Sequence, residues 1–184
     1  KVYSESLLEE QSIQLGLLVK LRQQILQDAV QGKLVAQDPN DEPASKLLER
    51  IKADKEKLFR EKKITKEKSL PPIKIEEVPY EIPENWVWCR LGEITNYGSS
   101  IKAEPSDLNK EVWVLDLEDI EKESSKLVCK VRFFERNSLS TKSIFKKGDV
   151  LYSKLRPYLD KVLVADEDGV CTTEILPLRC FSNF

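Results

Sequence analysis

The chain has 184 residues, 34% of them charged and 40% hydrophobic, with a net charge of −2 and a pI near 5.5. That balance admits one ordinary domain or a smaller globular unit with an extended element. It excludes a generally basic nucleic-acid coat, so any contact with DNA has to come from a local patch.

The four cysteines (Cys89, Cys129, Cys171, Cys180) form no C-x-x-C pair and histidine is absent. This argues against a Cys/His zinc site and for buried, reduced thiols in a cytoplasmic protein. No apolar run approaches the ~18 residues of a membrane span and no signal peptide is visible, so no membrane partner is expected. The chain carries no Met and stops abruptly at Phe184, and we expect a piece of something longer.

From Ser4 to about Gln37 the text predicts a helix, with Leu15, Leu17, Leu18, Leu21, Ile25, Ala29, Val30 and Leu34 as a wide apolar stripe. Pro39 and Pro43 break it, and Asn40 or Asp41 can cap a second helix from about Pro43 to Lys63. That helix has a thin apolar face of Leu47, Leu48, Ile51, Leu58 and Phe59 amid mixed charge, with Glu56 and Arg60 at the i,i+4 spacing. The two helices read as a helical hairpin or coiled-coil spacer over residues 1–68. Leu18, Leu21, Ile25, Leu47, Ile51 and Leu58 are its candidate partner-binding positions, and a solvated amphipathic hairpin fits the same pattern.

Four prolines in "SLPPIKIEEVPYEIPENW" (69–86) impose extended backbone and predict a stiff linker at a domain boundary. Beyond it "WVWCRL", "VWVLDLE", "LVCKVRFF", "DVLYSKL", "KVLVAD" and "CTTEILPLR" are short β-rich runs between turn residues. The expected fold class is α+β: a long N-terminal helical hairpin, then a mixed, mainly β domain over residues 69–184 that ends before it is complete.

The absence of histidine excludes Ser-His-Asp and Cys-His nucleophile pairs and the H-E-x-x-H helix; no G-x-G-x-x-G or P-loop occurs either. The acidic run Asp116, Glu118, Asp119, Glu121 and Glu123 has the donors for Mg²⁺, but from Pro71 onward no Asp/Glu-x-Lys accompanies it. A solvated strand end with its turn explains those charges, and no metal ligand or catalytic residue is assigned. Between Lys142 and Lys161 lie six cations (Lys142, Lys146, Lys147, Lys154, Arg156, Lys161) against Asp149 and Asp160. Such a local excess suits phosphate contacts. Arg156 has the planar fork that pairs with guanine, while Pro157 stiffens the backbone and Tyr158 adds a ring and a hydroxyl. Lysine-rich turns that protect strand edges look the same.

Three stretches together resemble the specificity subunit of type I restriction–modification systems: "KLRQQILQDAVQGKLVAQDPNDEPASKLLERIKADKEKL" (20–58), "PYEIPENWVWCRLGEI" (79–94) and "KKGDVLYSKLRPYLDKVLVADEDGVCTTEILPLR" (146–179). The resemblance implies a target recognition domain following spacer helices. It also implies a non-catalytic role: directing methyltransferase (M) subunits, and with a motor/restriction (R) subunit an endonuclease, to a bipartite site in double-stranded DNA. S-adenosylmethionine, ATP and Mg²⁺ would then sit on partner subunits. The chain lacks an Asn-Pro-Pro-Tyr methyltransfer motif, "LPPI" (70–73) not being one.

On this reading "SKLRPYLDK" (153–161) is a loop at the DNA face, with Lys154 and Lys161 near phosphates and Arg156 and Tyr158 near base edges. Thr172, Thr173 and Glu174 approach the same groove, or else simply fill the sheet. A second polar loop, "YGSSIKA" (97–103), offers Ser99, Ser100 and Lys102. The acidic segment 104–123 is expected to face away from DNA or toward a partner. The alternative function is a helical-hairpin oligomerisation or scaffold protein whose β domain binds protein.

Overall fold

The structure, a computed structural model, describes residues 2–64, 70–136 and 139–181. The chain divides into two compact units: Lys1–Glu49 with Pro71–Cys89, and Arg50–Leu70 with Arg90–Phe184. The expected boundary at 68–69 lies outside the described residues. Among the described residues no helix is long and apolar enough to cross a membrane.

The first unit begins with helix α1 (Val2–Val30). It ends well before Gln37, and Gly32 is the reason. The Gly32 N–H donates to the Ala29 carbonyl at 3.0 Å and the Lys33 N–H to that of Asp28 at 2.8 Å, a Schellman closure around a left-handed residue. Gly32 sits at φ +69°, and a Cβ there would lie 2.6 Å from Pro83 Cγ, so both backbone and packing require glycine. The proline-rich stretch is therefore no free linker, because Pro71–Cys89 packs with this end of α1. Trp86 Nε1–H donates to Gln37 Oε1 at 3.0 Å, the Ala44 N–H to the Asn85 carbonyl at 2.8 Å, and Tyr80 meets Trp88 edge-to-face at 5.1 Å. "WVWCRL" is accordingly not a strand; Trp86 reaches back to Gln37 and Trp88 packs on nearby Tyr80. The α1 side chains expected to be buried are exposed within this chain: Leu18 at 61%, Leu21 at 55% and Ile25 at 43%.

The division between units falls inside α2 (Ala44–Arg60). Its later part carries Ile51, which is 2% exposed. Ile51 thus packs inside this chain and is unavailable to a partner, a correction to the expected face; Leu47 and Leu58 are half-buried. Lys55 donates to the Gly92 carbonyl at 2.8 Å, within α3 (Leu91–Ile94), and lies 4.7 Å from the Phe181 ring centroid.

The strands are β1 (Lys102–Ala103), β2 (Trp113–Leu115), β3 (Val131–Arg132), β4 (Lys142–Phe145), β5 (Val150–Ser153), β6 (Val162–Val164), β7 (Gly169–Cys171) and β8 (Ile175–Leu178). They form a five-stranded sheet in the order β1-β4-β7-β2-β3 and a three-stranded one in the order β6-β5-β8. β2 and β7 run parallel, with Leu115 opposite Cys171; that pairing needs a long crossover, and β3 to β6 supply it. The core joins Trp113, Leu115, Ile120, Phe145, Leu151, Ala165, Cys171 and Ile175. Trp113 and Phe145 meet edge-to-face at 5.1 Å and 88°. Cys171 is buried and Cys89 half-buried, whereas Cys129 and Cys180 are exposed, against the expectation of buried thiols.

Candidate nucleic-acid interface

β5 ends at Ser153, and residues 154–160 form the loop into β6. Proline starts a single 3₁₀ turn, Pro157–Leu159, bracketed by two non-glycine residues in the left-handed region: Arg156 (φ 51°, ψ 61°) and Asp160 (φ 50°, ψ 39°). Lys154 and Arg156 are exposed, and Tyr158 is 73% exposed. Among the described residues the side chains of Lys154 and Arg156 have no bonding partner. A rigid turn thus presents a guanidinium and a phenol to solvent.

The loop is held from behind. Ser153 Oγ–H donates to the Leu155 carbonyl at 2.7 Å, and the Glu123 N–H donates to the Leu159 carbonyl at 3.0 Å. The Ser125 hydroxyl donates to the Asp160 carbonyl and accepts from the Val162 N–H at 3.3 Å. Lys161 Nζ donates to the Leu117 carbonyl at 2.6 Å. Lys161 is half-buried, and this bond ties its ammonium back to the chain.

The turn between β7 and β8 lies next to the loop, because the Lys154 N–H donates to the Glu174 carbonyl at 3.1 Å. Thr173 and Glu174 are exposed and Thr172 half-buried. Thr172 and Glu174 share an open hollow of about 460 Å³ with Asp116, Leu117, Glu118, Ser140 and Lys142. Lys142, counted among the local cations, is 3% exposed; its ammonium is 3.2 Å from Ser140 Oγ and 3.7 Å from Asp116. Lys146 is paired with Asp168 at 2.7 Å. Of the six cations, Lys154 and Arg156 belong to the exposed loop.

Ser99 and Ser100 do not join this group. Lys102 pairs with Ser143 in register, and Ser143 with Cys171. Residues preceding Lys102 therefore run toward the Phe145–Gly169 end of the sheet, opposite the Thr172 end. Lys102 Nζ itself is spent on Ser143 Oγ at 2.7 Å.

The acidic segment is not remote from the loop. Asp116, Leu117 and Glu118 line the hollow, and the backbone at Leu117 and Glu123 bonds the loop. Nor are its charges all solvated: Asp119 is 2% exposed and bound by Arg136 at 2.6 Å. Among the described residues no group of three or more His, Cys, Asp or Glu side chains is placed to hold a metal ion. Ser125 and Ser140 are not found by sequence reasoning. Ser125 lies 35 positions from the residue it bonds, and its "ESSK" context signals only a turn.

No protein-family model matches the chain. Three curated Escherichia coli proteins do. The chain is 60% identical over 86 residues to the type I restriction enzyme EcoAI specificity subunit, covering 46% of this chain and 15% of that protein. It is 50% identical over 98 residues to the EcoEI specificity subunit, covering 50% and 16%. To the EcoDI specificity subunit it is 30% identical over 165 residues, covering 89% and 33%. The chain belongs to the specificity-subunit family of type I restriction enzymes.

These alignments span between 15% and 33% of the relatives' own length. Among solved structures, the HsdS subunit from Thermoanaerobacter tengcongensis is similar with a TM-score of 0.48 and 24% identity, over 56% of this chain and 27% of that one. A chain from a structure of a type I R-M system gives 0.47 and 27% identity, over 55% and 27%. Family membership rests on the sequence matches.

Proposed function

We propose that this chain carries a DNA-recognition element of a type I specificity subunit, reading part of a bipartite site in double-stranded DNA. The supporting observation is the exposed loop 154–160, with Lys154, Arg156 and Tyr158 beside the turn 172–174. Arg156 has the fork for guanine O6 and N7, Glu174 accepts from an exocyclic amine such as cytosine N4, and Lys154 suits a phosphate. The chain itself makes and breaks no covalent bond. Methyl transfer and cleavage belong to M and R subunits, which would hold S-adenosylmethionine, ATP and Mg²⁺.

A map of methylated adenines in the source cell, with and without the intact gene, tests this reading. Loss of one two-part motif on deletion supports it, and an unchanged map counts against it.

The exposed apolar side chains of α1 favour a second reading, an oligomerisation or scaffold protein. Leu21→Glu with Ile25→Glu separates the two. A scaffold loses assembly with no effect involving DNA, whereas a specificity subunit that docks M subunits through α1 loses the methylated motif.

A further inference from the structure

Among the described residues Arg156 and Tyr158 make no side-chain bond that would aim them, so their direction is set by the backbone beneath. That backbone holds two left-handed non-glycine residues within five positions. Such a conformation persists only where the surroundings over-determine it. The surroundings here are the segment 117–125, which meets the loop at three points: Glu123 N–H to the Leu159 carbonyl, Ser125 hydroxyl to the Asp160 carbonyl, and Lys161 ammonium to the Leu117 carbonyl.

The segment is itself fixed to the core. Ile120 is buried and bridges Leu127, the Val128 N–H donates to the Asp119 carbonyl at 2.7 Å, and Arg136 holds the Asp119 carboxylate. The segment that bonds the exposed turn is thus itself anchored to the packed interior. Groups that read a ligand have to be held within a fraction of an ångström, by neighbours that need not touch it.

We propose that Ser125 and Lys161 are positioning residues: they fix the loop 155–160 so that Arg156 and Tyr158 meet DNA in one pose, and neither contacts DNA. The proposal rests on the DNA-reading function and assigns Lys161 a role other than phosphate binding.

The test titrates the intact protein, over a series of salt concentrations, with two duplexes. One carries the motif found by methylation mapping, and the other has the same composition with that motif scrambled. Ser125 is itself left-handed (φ 55°), so Ser125→Gly accommodates that backbone and removes the hydroxyl. It should cut the preference for the motif about tenfold with an unchanged slope of log affinity against log salt. Lys161→Met should do the same. A phosphate-binding lysine would instead lower the slope by about one and weaken both duplexes alike.

That result for Lys161→Met, or undiminished preference in Ser125→Gly, overturns the proposal. Ser124→Gly perturbs the same turn without touching the loop and should keep full preference; an equal loss there also overturns it. Amide exchange at Leu159 and Asp160 should quicken in Ser125→Gly, and unchanged exchange counts against the staple in the absence of any DNA. A wild type that prefers neither duplex refutes the reading function itself, whereas preference retained by both variants refutes only the positioning.

Discussion

Arg136 donates from Nη2 to Asp119 Oδ1 at 2.6 Å, and that aspartate is 2% exposed. The other guanidinium nitrogen, Nη1, reaches Asp116, whose N–H in turn donates to Asp119 Oδ2 at 2.8 Å. One fork therefore neutralises two carboxylates, of which Asp116 lines the hollow. Removing it strands a buried charge, so Arg136→Ala should destabilise the fold by about 3–5 kcal/mol. Arg136→Lys should recover only part of that, because an ammonium cannot span both acids in the same plane. Urea unfolding measures both; a loss below about 1 kcal/mol would mean that another cation can take over.

Arg156 should be separable from stability altogether. It is exposed and left-handed, so Arg156→Ala keeps the backbone cost and should change unfolding free energy by less than about 0.5 kcal/mol. The same variant should relax preference at one base position by about 1–3 kcal/mol. Arg156→Gly relieves the left-handed conformation and should stabilise the fold by about 1 kcal/mol while losing the same base preference. If Arg156→Gly fails to stabilise, the turn carries no strain worth relieving.

How much of this is legible in the sequence differs by element. The loop 153–161 can be read because proline, cations and tyrosine between two β-rich runs are a local signal. The end of α1 is hidden although Gly32 is visible, because "KLVA" continues the apolar spacing beyond it. "WVWCRL" misleads for a related reason: two tryptophans alternate like a strand, yet Trp86 bonds Gln37 and Trp88 meets Tyr80 edge-to-face. Counting cations over 142–161 overstates the patch, since sequence does not show that Lys142 is buried or that Lys161 bonds Leu117. Ser125 is out of reach because its partner is far away in the chain. Long-range hydrogen bonds leave no periodicity, and the candidate site is built largely from them.

Gly169 tests the core beneath the site. A Cβ there would lie 2.5 Å from Phe145 Cζ and 2.7 Å from the Trp113 carbonyl oxygen. The ring could turn, but the oxygen belongs to the neighbouring strand, where Gly169 sits in register with Trp113. Gly169→Ala should therefore push β7 off β2 and cost about 1–3 kcal/mol or more, as overpacking in a dense core does. Thermal unfolding with near-ultraviolet dichroism of Trp113 checks it; an unchanged melting temperature would show that the two strands can part freely.

Cys171 should make stability sensitive to alkali. Burial pushes its thiol up to about 12 from an ordinary value of 9.0. Below pH 9 the thiol is protonated in both folded and unfolded chains. As pH rises from about 9 toward 12 only the unfolded chain ionises, so this contribution is progressively lost across that window. At the acid end the sign reverses. The Arg132 guanidinium, then the Lys130 ammonium, hold the Glu167 carboxyl below its usual value, so its contribution is present above that value and disappears as pH falls. Stability should therefore be flat near neutrality and decline on both sides, and Cys171→Ala should flatten the alkaline limb only. Iodoacetamide at pH 8 gives an independent check: exposed Cys180 should react quickly and Cys171 only on unfolding. Rapid modification of Cys171 in the native protein would show that β7 opens far more readily than its packing implies.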